Sequence, residues 1–109
     1  MASGQVVQIR PNIGFAYEQL TVTSGVQVLT PTKYKDSVTS GGAASAFITN
    51  YGAACRYTYD NLTTPSTTVG HVLQDGGILV LQGQNQMANF KAYALTATDT
   101  VLSITYERE

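Results

Sequence analysis

The chain has 109 residues, 43% of them hydrophobic, which is enough for one core and not for two. Only 12% are charged and the formal net charge is −1, so no broad field exists to attract a polyanion such as nucleic acid or an anionic membrane surface. The single Cys excludes an intramolecular disulfide, and no apolar run approaches the roughly 20 residues of a membrane-spanning helix.

The six basic residues, Arg10, Lys33, Lys35, Arg56, Lys91 and Arg108, are scattered, so neither nucleic acid nor a membrane is an expected partner. Thr, Ser, Asn and Gln, with ten Gly, take the place of charge, which suits wide, wet contact with other proteins and equally an isolated β-domain. Met1 to Gln5 shows no basic-then-apolar leader, and the expectation is a soluble protein made and folded in a reducing cytoplasm.

In chain order, Val7 and Ile9 share one face from Gln5 to Arg10, with Gln8 and Arg10 on the other, until Pro11-Asn12 ends the run. Residues 1–12 therefore read as either an edge strand or an extended arm of a single domain spanning 1–109. From Gly14 to Val22, the β-branched Thr21, Val22 and Thr23 favour a strand over a helical turn around Tyr17 to Leu20. Ser24-Gly25 turns the chain, Val26 to Thr30 alternates again, and Pro31 stops it. Thr32 to Ser45, with Lys33, Tyr34, Lys35 and Asp36, reads as a long surface connection. The word Val-Thr-Ser-Gly at 22–25 and 38–41 is one turn chemistry used twice, because its flanks do not repeat.

Ala44 to Asn50 predicts a strand with Ala46 and Ile48 opposite Phe47 and Thr49. After a brief turn at Asn50-Tyr51-Gly52, Ala54 to Asp60 puts Cys55, Tyr57 and Tyr59 on a core face against Arg56, Thr58 and Asp60, so the two strands read as a hairpin. Asn61 to Val69 is a Thr-rich exposed loop. Asp75-Gly76-Gly77 launches Ile78 to Gln82, a run apolar on both faces and so expected to be central or covered. Gln82 to Gln86 reads as a turn. Ala88 to Leu95 then alternates with Ala88, Phe90, Ala92 and Ala94 on one side, and Val101 to Glu107 sets Leu102, Ile104 and Tyr106 against Val101, Ser103, Thr105 and Glu107. The fold class is all-β: a single jelly-roll-like β-sandwich of about seven or eight antiparallel strands with no substantial helix.

The chemistry is sparse. His71 is the only candidate general base and Cys55 the only strong nucleophile, but strand parity buries Cys55, where a thiol acts as a small hydrophobe. His71, following Gly70 at a loop exit, is expected to fix the loop by a hydrogen bond. One His, one Cys and seven dispersed acids show no metal-ligand spacing, and no catalytic, metal or cofactor residues are assigned. Asp75-Gly76-Gly77 and Ser40-Gly41-Gly42 precede no helix, so they read as turns rather than phosphate cradles. Asn61-Leu62-Thr63 matches the glycosylation pattern by chance. Tyr34 and Tyr51, in predicted loops, are the aromatics that could stack on a sugar, although Tyr is equally common in sandwiches and interfaces. Arg56 and Asp60 are expected to pair with cross-strand neighbours.

The ordered words Arg56-Tyr57-Thr58-Tyr59-Asp60, Thr64-Pro65, Gly70-His71-Val72-Leu73, Leu79-Val80-Leu81, Ala88-Asn89-Phe90-Lys91-Ala92 and Leu102-Ser103-Ile104-Thr105-Tyr106-Glu107-Arg108 resemble a group of small virion proteins of tailed bacteriophages. The resemblance covers about Ala46 to Arg108. Where that group often has Gly after the Asp, this chain has Asn61, which also tolerates a left-handed backbone. The resemblance implies a capsid decoration or cement protein, made in the host bacterial cytoplasm and located on the virion's capsid surface. Such a protein would bridge neighbouring major-capsid subunits as a homo-dimer or homo-trimer and carry no chemistry. Tail or head-to-tail joint components and a glycan-binding attachment module are the alternatives.

Expected contact residues are Val7, Ile9 and Arg10 in the arm, Lys33, Tyr34 and Lys35 in the first long loop, and Leu62 and Thr64 in the Thr-rich loop. Cys55, Tyr57, Tyr59, His71, Phe90, Leu102, Ile104 and Tyr106 are expected to be framework.

Overall fold

A computed structural model describes residues 13–35 and 42–108. Its strands are β1 (Ile13–Val22), β2 (Gln27–Val28), β3 (Ser45–Asn50), β4 (Cys55–Thr58), β5 (His71–Leu73), β6 (Ile78–Gln82), β7 (Lys91–Ala94) and β8 (Thr100–Arg108), with short helices α1 (Pro31–Tyr34) and α2 (Gln84–Asn89). They form two antiparallel sheets, ordered β1-β8-β3-β6 and β2-β7-β4-β5. The pairing is nested: β1 with β8, β2 with β7, β3 with β6, β4 with β5, each partner drawn from the mirror position along the chain. Contacts of β3 with β8 and of β4 with β7 complete the sheets. The all-β sandwich expectation is met, with eight strands among the described residues.

The period-2 pattern explains why the sheets face each other. On β8, Thr100, Leu102, Ile104 and Tyr106 are buried while Val101, Ser103 and Thr105 are only partly covered. On β3, Ala46 and Ile48 face the same interior. The opposing sheet contributes Cys55, Leu73, Ala92 and Ala94, and Phe90 joins them from the residue just before β7. Phe90 and Tyr106 have no exposed surface, and burying a side chain of that size contributes about 1.5–3 kcal/mol.

A half-buried carboxylate borders this interior. Glu18 of β1 accepts hydrogen bonds from the Thr30 N–H at 3.1 Å and the Thr30 hydroxyl at 2.7 Å, and a third from the Tyr106 hydroxyl. Burial, followed by the Glu18 hydrogen bond and charge, pushes the Tyr106 phenol well above its ordinary pKa, so it remains a donor. Thr30 immediately precedes α1, so this cluster ties the start of α1 to the first sheet.

Several expectations are corrected. The segment from β3 to β4 is an arch, not a hairpin: β3 and β4 lie in different sheets. Buried polar groups make the crossing. The Asn50 side-chain amide donates to the Ala53 and Leu73 carbonyls, both at 3.0 Å, and its oxygen accepts the Gly52 N–H at 2.8 Å. The Thr100 hydroxyl bonds the Ala53 carbonyl at 2.8 Å. A Cβ on Gly52 would lie 2.7 Å from the Val101 nitrogen, so the arch passes β8 with no room for a side chain.

The apolar run 78–82 is a border strand, with Ile78, Leu79 and Val80 partly covered, rather than a central one. Val26 to Thr30 contributes only a two-residue strand. Residues 84–89 form α2 where a turn followed by strand was expected. Its single buried residue, Met87, gives no helical period to read. Ala88 consequently leaves the face it was assigned with Phe90, Ala92 and Ala94, and is exposed.

Tyr34 is the clearest reversal. Expected in an exposed loop, it is 3% exposed, because α1 swings it under the sheet to lie 6.1 Å from the Tyr106 ring.

Candidate functional site

The most built exterior feature is the loop between β4 and β5. Asp60 organises its start: one carboxylate oxygen accepts the Leu62 and Thr63 N–H groups at 3.1 and 2.9 Å, and the other accepts the Thr63 hydroxyl at 2.7 Å. These bonds hold the Asp60 carboxyl down at about 2, below its ordinary 3.8. Asn61 has φ 65°, the only positive value at a non-glycine among the described residues, so the left-handed turn expected there is present. The Thr58 hydroxyl donates to the Thr63 carbonyl at 2.7 Å.

Arg56 fixes the far end. Its Nε donates to the Thr67 carbonyl at 3.0 Å and its Nη1 to the Gly70 carbonyl at 2.8 Å. Arg56 and Asp60 thus shape this loop instead of pairing across strands. The loop folds back over the outer side of its sheet, so that Thr58, opposite Cys55 in parity, is buried too. Within the Asp60 turn Leu62 is 89% exposed. An apolar side chain displayed on a loop held by so many bonds loses little further freedom on binding.

Beside the loop lies a cleft of about 460 Å³ lined by Thr58, Tyr59, Asp60, Thr63, Gly70 and His71. His71 is exposed, with its ring 5.3 Å from that of Tyr57 and 6.3 Å from that of Tyr59. It is held by ring packing rather than by the expected hydrogen bond. Tyr57 continues inward to Phe90 at 6.0 Å. Tyr59, expected in the core, is 42% exposed, because β4 ends at Thr58 and the Asp60 turn carries the next residues outward. Burial pushes the Tyr57 hydroxyl up, with Tyr59 and Cys55 adding to it.

Cys55 has no exposed surface, and burial pushes its thiol up to about 11, the reverse of what a nucleophile needs. Among the described residues, no group of three or more His, Cys, Asp or Glu is placed to hold a metal ion. Every buried side-chain nitrogen and oxygen described has a hydrogen-bond partner. No described helix is long and apolar enough to cross a membrane.

The remaining expected contact residues divide. Val7, Ile9 and Arg10 lie outside the described residues. Lys33 and Lys35 are exposed. Lys33 Nζ donates to the Tyr17 carbonyl at 3.3 Å beside a recess of about 310 Å³ lined by Phe15, Ala16, Thr32 and Lys33, and Lys35 lies 6.0 Å from the Tyr34 ring centre. Thr64 is exposed near Leu62. Of the two tyrosines that could meet a sugar, Tyr51 is 56% exposed but bonded to the Gln19 side chain, and Tyr34 is buried. Sequence reasoning missed the Tyr59–His71 cleft. Its signal was Asp60 followed by Thr63, an Asx-type turn that ends a strand early. No protein-family model, curated protein or solved structure matches this chain.

Proposed function

We propose that this protein is a non-enzymatic structural component of a tailed-phage virion, a capsid decoration or cement protein that bridges neighbouring major-capsid subunits. The observation that supports this reading is the nested pairing of β1 to β8 across two antiparallel sheets, which we read as jelly-roll-like, an architecture used repeatedly in viral shells. The resemblance from Ala46 to Arg108 supports the same assignment. The ordered loop displaying Leu62, with Thr64 beside it and Lys33 and Lys35 on a separate surface, supplies the contact chemistry. Repetition over a closed lattice makes modest contacts effective, because each bound copy spans a joint between shell proteins.

The test is reconstitution. Capsids lacking the protein should burst at lower temperature or internal pressure and regain strength when it is added back, and Leu62→Asp should weaken its retention. Unchanged robustness and no binding to capsids would overturn the proposal. Copy number separates a shell role from the tail or joint alternative, since a shell protein is far more abundant than a ring component.

One observation favours a second reading, glycan attachment. The cleft between Tyr59 and His71 offers aromatic faces beside hydroxyls, at a different place from Tyr34 and Tyr51. Binding on a glycan array that is lost in Tyr59→Ala would favour it, whereas an array without binding would remove it.

A further inference from the structure

Among the described residues, four strands border the two sheets, β1 and β6 in one and β2 and β5 in the other. A border strand turns alternate N–H and C=O groups outward, where they form a template for another strand unless something blocks it. Three of the four borders are blocked or short. β1 carries a register shift between Gly14 and Ala16, and Lys33 caps its outward Tyr17 carbonyl. β2 has two residues and β5 three.

Among the described residues, β6 has none of these guards. Ile78-Leu79-Val80-Leu81-Gln82 pairs with β3 along all five positions without a register shift, and contains neither proline nor charge. The Gly83 N–H bonds the Ala44 carbonyl at 2.8 Å and the Asn50 N–H bonds the Gly77 carbonyl at 3.0 Å, which fixes the phase of the ladder between them. Antiparallel alternation then turns the backbone of Leu79 and Leu81 toward β3 and that of Ile78, Val80 and Gln82 toward the border. One outward donor, the Gln82 N–H, is engaged by the Gln86 side-chain oxygen at 2.7 Å. The Ile78 and Val80 side chains share the outer surface with their cross-strand neighbours Thr49 and Phe47.

We propose that β6 pairs with β6 of a second copy of this chain, antiparallel about a two-fold axis at Val80, joining two four-stranded sheets into one of eight strands. Two features select a second copy as the occupant. About its own dyad an antiparallel strand is self-complementary: Val80 exchanges both backbone bonds with Val80 of the second copy, and the Ile78 N–H meets the Gln82 carbonyl of the second copy, which Gln86 leaves open. Charge agrees. A dyad brings each side chain close to its own image, so any charge on β6 would meet a like charge, and the strand has none. A single strand pair is a small interface, so the dimer is weak, dissociating at micromolar concentrations in order of magnitude. This inference stands whether or not the protein decorates a capsid.

The experiment is sedimentation equilibrium of the full chain from about 1 μM to about 1 mM, spanning that range. The mass should rise from one copy to two. Val80→Pro removes the outward N–H without taking a donor from the β3 ladder, and proline is tolerated on such a border. Val80→Lys keeps the backbone and sets two like charges at the dyad. Each should weaken association roughly tenfold or more, the loss expected when about 1.4 kcal/mol of binding is removed. Thermal unfolding of the lysine variant checks that it folds, and Val28→Lys on the β2 border should leave association unchanged. A monomer at every concentration, a dimer indifferent to both Val80 substitutions, or a dimer broken equally by Val28→Lys would each overturn the proposal.

Discussion

Asn50 is 1% exposed and joins the two sheets through its side chain, so replacing it is the most direct test of how the arch is held. In Asn50→Ala, three hydrogen bonds disappear. The carbonyls are partly protected: that of Ala53 keeps the Thr100 hydroxyl, and that of Leu73 remains in a paired strand. The Gly52 N–H loses its side-chain acceptor in a part-buried place. A donor left unmet costs about 1–3 kcal/mol and each lost bond to a carbonyl about 1 kcal/mol, so the expected total is roughly 3–5 kcal/mol.

Asn50→Asp adds a sign. The carboxylate can still accept from the Gly52 N–H, but its other oxygen faces two carbonyls that need a donor. That crowding raises the folded pKa of the new carboxyl above the unfolded value of about 3.9. The ionisation part of the penalty is then absent at low pH, where the protonated carboxyl still donates to one of the two carbonyls; it grows as pH rises from about 4 through the folded pKa, and is complete above it. Urea unfolding of the three proteins across this range is the assay. A loss of under about 1 kcal/mol in Asn50→Ala, or an Asn50→Asp deficit that does not change with pH, would refute the account of the arch.

Three further outcomes are expected. Asp60 has a depressed folded pKa, so its contribution to stability is present above 3.8 and is lost as pH falls toward about 2. The advantage of the native protein over Asp60→Asn should shrink through that window, and a constant difference by acid unfolding would count against the loop assignment. The Cys55 thiol, pushed up from 9.0 to about 11, should react with an aromatic disulfide reagent about 100-fold or more slowly in the folded protein and normally in denaturant; rapid native labelling would contradict its burial. Tyr106→Phe removes a hydrogen bond to the Glu18 carboxylate and should cost about 1.5–3 kcal/mol, visible as a fall in Tm of roughly 6–20 °C.

Where one face of a strand is fully buried, the sequence displays it. Leu102, Ile104 and Tyr106 alternate because the interior admits only one side of β8, and Cys55 follows the same rule. The sequence is silent where the determining partner is distant. Asn50-Tyr51-Gly52 has the composition of a hairpin turn, and only Thr100 and Leu73, far along the chain, make it an arch. Tyr34 misled because a four-residue helix is too short to print a period. Tyr59 misled because the Asp60 turn cuts β4 before the alternation ends. The apolar run at 78–82 suggested a covered strand, and its place at a border follows only from the order of all four strands of its sheet.

The nested pairing has a kinetic consequence. β4 and β5 are the nearest partners along the chain and β1 and β8 the most remote, with Ile13 opposite Arg108. Closing a long loop costs more entropy than closing a short one, and folds dominated by distant contacts assemble slowly, over milliseconds to seconds. The β4–β5 hairpin is therefore the natural place for assembly to begin, with pairing spreading outward along the chain in both directions. On the ribosome β1 precedes the other described strands but can begin to pair only once Thr100, the partner of Val22, has left the exit tunnel, so this ten-residue strand waits longest, its apolar side uncovered, before the sandwich can close.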